Sequence, residues 1–188
     1  RALGSAPVRI LDVGAEGGDL CRALAVRLRR DRLDAEITAL DVDPRAVAWA
    51  SAHDGGAGAV YRCASSSDLV RAGERFDIVL SNHVLHHLDA AGLAGMLEDT
   101  RRLVPEDGVV AHHDIARSRL ASAAFAAGTW PFSGNLLAGS FIRADGLTSI
   151  RRSYTAAELA AAAPPGWVVR RGFPSRLQLR WEPVDAAG

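Results

Sequence analysis

The chain has 188 residues, 48% of them apolar and 23% charged, with 22 Lys plus Arg against 22 Asp plus Glu. That length suits one domain with a core of its own, and balanced charge gives no overall field toward nucleic acid or an anionic membrane. No apolar run approaches the ~20 residues that span a bilayer, and two cysteines, Cys21 and Cys63, are too few for a disulfide framework and point to a reducing cytoplasm.

The chain opens at Arg1, almost directly on a strand-like run, so a further N-terminal segment is expected to precede it. Val8–Val13 reads as a strand buried on both faces. Gly14-Ala15-Glu16-Gly17-Gly18 breaks it, and a helix follows over Asp19–Arg30 with Leu20, Leu24 and Leu28 on one face. Strand, glycine turn and helix is how an α/β protein holds a ligand at the carboxyl end of its first strand, the glycines letting backbone N–H groups close on it. Glu36–Leu40 is a second strand, and Pro44 suits the first turn of a helix over Arg45–Ala52. A glycine loop at Gly55–Gly58 leads to a strand at Val60–Cys63 and a polar turn at Ala64–Asp68. Phe76–Leu80 is a fourth strand, Leu93–Val104 a helix, Pro105–Gly108 a turn and Val109–His112 a fifth strand.

The rhythm breaks over Asp114–Ile150, with a short helix expected at Arg117–Ala127 and then Trp130-Pro131-Phe132 among glycines. Such an insertion is either a lid over a site or a surface helix with an aromatic anchor. Thr155 opens a helix over Ala156–Ala163, and Trp167–Phe173 and Ser175–Trp181 close the chain as an antiparallel pair.

Asp41 lies 23 residues after Gly18 at the end of the second strand, where a carboxylate can accept both hydroxyl hydrogens of a ribose. Its competing role, a helix cap, fits Asp43 better, and Ser65–Ser67 compete as an N-cap for a helix whose first turn holds Asp68. The spacing of Gly14, Gly17 and Gly18 misses the G-x-G-x-x-G fingerprint of nicotinamide enzymes.

Four segments, LDVGAEGGDL (11–20), ALDVDPRAVAWA (39–50), FDIVLSNHVLHHL (76–88) and LEDTRRLVPEDGVVAHHDI (97–115), carry a resemblance in order and spacing. The chain resembles the class I S-adenosylmethionine-dependent methyltransferases, particularly the small-molecule enzymes of ubiquinone and menaquinone synthesis. IARSRLA (115–121) and DGLTSIRRSYTAAEL (145–159) are similar to a bacterial subgroup associated with polyketide or phenolic products. The resemblance implies an α/β, Rossmann-like, seven-stranded and mostly parallel sheet with helices on both faces and an antiparallel edge hairpin. It implies one domain over 1–188, with a lid insertion at 115–152.

It further implies transfer of a methyl group from S-adenosylmethionine, leaving S-adenosylhomocysteine, to a small molecule. The acceptor atom would be an oxygen of a phenolic, quinone-like or polyketide compound. Carbon methylation of a similar ring, and a non-catalytic cofactor-binding protein of the same fold, are the alternatives. No nucleic acid and no membrane span are expected, and a homodimer is left open. Cofactor contacts fall on Asp12, Gly14, Ala15, Glu16, Gly17, Gly18, Asp41, Val42 (against the adenine), Ser65 with Ser66 and Asn82. Ser65 stands where the family usually has Asp, and Glu16 where it has its middle glycine; the turn is expected to shift so that Gly17 takes any positive φ.

Five of the six histidines fall in two places, His83, His86 and His87 after the fourth strand and His112 and His113 at the end of the fifth. In-line placement gives most of the acceleration of a methyl transfer, and an imidazole with a pKa near ~6.5 can take the proton of a hydroxyl nucleophile. His113 and His83 are the candidates for that base, because His112 and His113 alternate in direction along a strand. At least one of His86 and His87 is expected to be buried and structural; His87, His112, Trp130 and Phe132 are substrate-side candidates, with Phe141. Zinc spacing and a set of Asp/Asn magnesium ligands are both missing, so no metal is expected.

Overall fold

A computed structural model describes residues 6–118, 127, 129 and 148–182. The strands are β1 (Val8–Val13), β2 (Ala35–Asp41), β3 (Val60–Cys63), β4 (Ile78–Asn82), β5 (Val109–Ile115), β6 (Trp167–Gly172) and β7 (Arg176–Trp181). They form one sheet in the order β3-β2-β1-β4-β5-β7-β6. The first five pair in parallel, and β7 runs antiparallel to both β5 and β6. The Rossmann-like sheet and its antiparallel edge are as expected. Strand order reverses at β1, which lies between β2 and β4, and that switch point opens a crevice at the carboxyl ends of these strands.

The helices are α1 (Asp19–Arg30), α2 (Pro44–Ala52), α3 (Ser66–Arg71), α4 (Ala90–Arg102) and α5 (Ala156–Ala162), and residues 148–152 are also helical. Side chains alternate across β1 and β2, so the sheet feeds two cores. Leu11, Val13 and Leu40 join Leu69, Leu97 and Leu159 on one face. Ile37 and Ala39 meet Cys21 and Ala25 of α1 on the other. Among the described residues no helix is long and apolar enough to cross a membrane.

Several boundaries differ from the sequence reading. The polar turn at 64–68 becomes the start of α3, because Ser65 and Asp68 form a reciprocal capping box. β4 begins at Ile78 and extends to Asn82, and β5 continues to Ile115 because β7 pairs with it as far as Arg176. Of the helix expected at Arg117–Ala127, Arg117 and Ser118 are not helical and Ala127 is, while 119–126 lie outside the described residues.

Candidate functional site

The turn after β1 is held almost entirely by main chain. Gly14, Glu16 and Gly18 have φ of 70°, 45° and 74°. The Gly14 and Ala15 N–H groups donate to the Leu40 carbonyl at 2.7 and 2.9 Å, and the Gly18 N–H to the Ala15 carbonyl at 2.7 Å. A Cβ on Gly14 would lie 2.4 Å from Val84 Cγ2, and one on Gly18 would lie 2.8 Å from the Tyr61 hydroxyl. Both positions need glycine for space as well as for φ.

The expected shift of strain to Gly17 does not occur. Glu16 itself takes the left-handed conformation, fixed by its N–H donating to Asp41 Oδ2 at 2.9 Å. Asp41 Oδ1 accepts from the Asp43 N–H at 2.9 Å, so this one carboxylate ties the β1 turn to the β2 turn. Asp43 caps α2 through the Arg45 N–H, as the sequence suggested.

Two cavities meet at Gly14. The larger, about 340 Å³, runs from Leu40, Asp41 and Val42 past Ala64–Ser67 to Met96 and Asp99 of α4. Val42 is 72% exposed at its lip, an apolar surface open to a ligand. The smaller, about 180 Å³, is lined by Asp12, Glu16, Asp19, Asn82 and His83.

Asp12 is the electrostatic centre of the smaller cavity. It is only 2% exposed; its Oδ2 accepts the Cys21 thiol at 3.3 Å, and among the described residues its Oδ1 has no partner. Burial pushes its pKa up to about 6. Burial and the neighbouring Asp12 push the Cys21 thiol up as well, keeping it a donor.

Ser65 lines the larger cavity, but its hydroxyl and N–H both donate to Asp68. Ser66 and Ser67 both donate to Asp99 Oδ2, at 2.9 and 2.6 Å. The helix-cap alternative therefore describes the Ser65 side chain.

The histidines separate by their partners. His112 is 0% exposed, its Nδ1 2.8 Å from the Ser81 hydroxyl and its Nε2 3.2 Å from that of Thr100. It stacks on Trp167, and burial lowers its pKa to about 3. The substrate role expected for His112 is thus corrected: it is a neutral core residue with both ring nitrogens engaged. His86 is buried as well, its N–H and Nδ1 each 2.8 Å from an oxygen of Asp114.

His83 holds φ of 63° and accepts from Arg176 Nη1 on Nε2 at 2.9 Å. His113 Nε2 lies 3.2 Å from the Gln178 amide nitrogen. Burial first, then Arg176, holds both imidazoles below their ordinary range. His87 is exposed, its imidazole lowered by partial burial and by His86.

Cys21, Asp114 and Arg176 are site residues that the sequence reading did not single out. Asp114 carried a legible signal, since it alternates with His112 and so shares its inward face once β5 is extended. Trp130, Phe132 and Phe141 lie outside the described residues.

A doubly wound sheet with a glycine turn, a carboxylate at the end of its second strand and paired cavities at its switch point has the architecture of an α/β protein that binds a ligand in that crevice. Residues 11–112 match a family model described as a methyltransferase domain, and the chain belongs to that family. The ubiquinone biosynthesis O-methyltransferase of Azorhizobium caulinodans is 33% identical over 105 residues, 55% of this chain and 38% of that protein. Its counterpart in Cereibacter sphaeroides is 37% identical over 83 residues, 43% of this chain and 31% of that protein. The matches thus span well under half the length of these relatives. The plantazolicin methyltransferase BpumL, solved with a pentazolic desmethylPZN analog and SAH, shares the fold at a TM-score of 0.66 and 13% identity. That likeness covers 96% of this chain and 79% of BpumL.

Proposed function

We propose that this protein binds S-adenosylmethionine and transfers its methyl group to a small-molecule acceptor, at an oxygen of a phenolic, quinone-like or polyketide compound. The observation that carries this reading is the orphaned Asp12 Oδ1 in an acid-lined cavity joined at Gly14 to a larger, mostly apolar one. A buried carboxylate oxygen without a donor is costly, and a cationic ligand group removes that cost. The ammonium and sulfonium of an adenosyl amino acid suit the cavity of Asp12, Glu16 and Asp19, and its adenosine suits the one lined by Asp41 and Val42.

In this reading Gly14–Gly18 present backbone to the amino-acid end. Asp41 receives the ribose hydroxyls on the lone pairs left by its two N–H contacts. Val42 covers the adenine, and Asn82 faces the methyl-bearing end. When bound, S-adenosylmethionine supplies a methyl group already activated by its sulfonium, so the protein's task is placement and proton removal.

The His83 and His113 imidazoles are both held below their ordinary range, and each can take an acceptor proton on Nε2 once its contact there is released. Calorimetry with S-adenosylhomocysteine, followed by methyl transfer from labelled S-adenosylmethionine to a panel of phenols, quinones and polyketides, tests the assignment. Clearly weaker binding in Asp41→Ala and in Asp12→Asn is expected; unchanged affinity in both would sink it.

A further inference from the structure

Charge is divided along this chain, although its total is zero. Residues 1–114 hold 13 arginines against 18 Asp and Glu, a net of −5, and residues 115–188 hold 9 arginines against 4, a net of +5. The acidic part carries the glycine turn and the cavity of Asp12, Glu16 and Asp19. The basic part builds a separate cavity of about 260 Å³, lined by Arg117, Thr155, Arg171, Ser175, Arg176 and Leu177. It forms where the β5 exit meets the β7 entry, the Ala116 N–H donating to the Ser175 carbonyl at 2.8 Å.

The arginines of this cavity are unequally neutralised. Arg117 pairs with Glu158. Among the described residues neither Arg171 nor Arg176 pairs with a carboxylate, and the Arg176 contact is to the uncharged acceptor His83 Nε2 at 2.9 Å. His83 lines the acidic cavity and Arg176 the basic one, so this single hydrogen bond joins the two. The uncompensated Arg176 charge is felt at both His83 and His113. In sequence, residues 119–147 bring only Asp145 against Arg119 and Arg143, which adds positive charge to this part of the chain.

Resting on the methyltransferase reading, we propose that the cavity of Arg171 and Arg176 receives an anionic group of the methyl acceptor, a carboxylate or a phosphate. A guanidinium without an acidic partner offers a planar fork of donors that matches either group. Opposite charges in the two neighbouring cavities then sort the ligands, the cationic donor to the Asp12 side and the anionic acceptor to the Arg176 side. The His83–Arg176 contact places that anion beside the candidate base.

Wild type and the Arg171→Gln/Arg176→Gln variant, both loaded with S-adenosylhomocysteine, are titrated by calorimetry with 4-hydroxybenzoate, methyl 4-hydroxybenzoate and inorganic phosphate. Wild type is expected to bind the acid at least about tenfold more tightly than the ester. The double variant should lose that preference while still binding S-adenosylhomocysteine, and Arg176→Lys should keep part of it. Phosphate binding as tight as that of the acid assigns a phosphate-bearing acceptor, and weaker phosphate binding a carboxylate. Equal affinity for acid and ester, an undiminished preference in the double variant, or no binding of any probe overturns the proposal. Failure of wild type to bind S-adenosylhomocysteine overturns the methyltransferase reading itself, and this proposal with it.

Discussion

The turn after β1 and the histidine cluster after β4 sit side by side on the same edge of the sheet, yet they are built in opposite ways. In the turn the main chain does the work: three residues at positive φ and a ladder of N–H groups on Leu40, Ala15 and Asp41. In the cluster, side chains set one another. Asp114 clamps His86, Ser81 and Thr100 clamp His112, and Arg176 engages His83. A turn of the first kind tolerates few changes of backbone freedom but many changes of neighbour. A cluster of the second kind fails when one partner is removed.

Removing the carboxylate that holds the cluster should have the largest effect. Asp114→Ala leaves the buried His86 N–H and Nδ1 without their acceptor, and a loss of about 3 kcal/mol is expected in urea unfolding. A loss under ~1 kcal/mol would mean that the cluster does not depend on this carboxylate.

Asp12 links the two regions through pH. Its native pKa of about 6 lies above the 3.8 of the unfolded chain, so the native state holds the proton more tightly. The stability that this contributes is whole below pH 3.8 and is lost as pH rises through about 6. Asp12→Asn should therefore stabilise the ligand-free protein by up to about 3 kcal/mol at pH 8 and by only about 0.5 kcal/mol at pH 4. Ligand binding should run the other way, because a cationic ligand group prefers the ionised carboxylate. Affinity for S-adenosylhomocysteine should fall about tenfold from pH 7 to pH 5 in wild type. In Asp12→Asn it should be weaker and flat over that range. A flat profile in wild type would detach Asp12 from the ligand.

The smallest expected effect is at Glu16. Replacing it with Gly relieves about 1–2 kcal/mol of left-handed strain but enlarges the unfolded ensemble, leaving a net gain near 0.5 kcal/mol. The N–H bond to Asp41 needs no side chain, so S-adenosylhomocysteine binding should weaken only slightly, by the loss of one acid from the Asp12 cavity. A large loss of binding would show that the carboxylate touches the ligand and that this turn is not a main-chain device.

The sequence by itself determined the alternation of strands and helices, the glycine turn, the caps at Asp43 and Thr155, and the position of Asp41. Those follow from periodicities of two and 3.6 residues, from φ freedom and from side chains that bond within a few residues of themselves. The tertiary structure alone decided which histidine is core and which faces a cavity, because Ser81, Thr100, Trp167 and Asp114 reach His112 and His86 from other elements. It also decided that Glu16 takes the positive φ, since the constraint comes from Asp41, 25 residues further along the chain. Local rules cannot see partners at that range, and only the pairing of β1, β2, β4 and β5 and the packing of α4 and β6 bring them together.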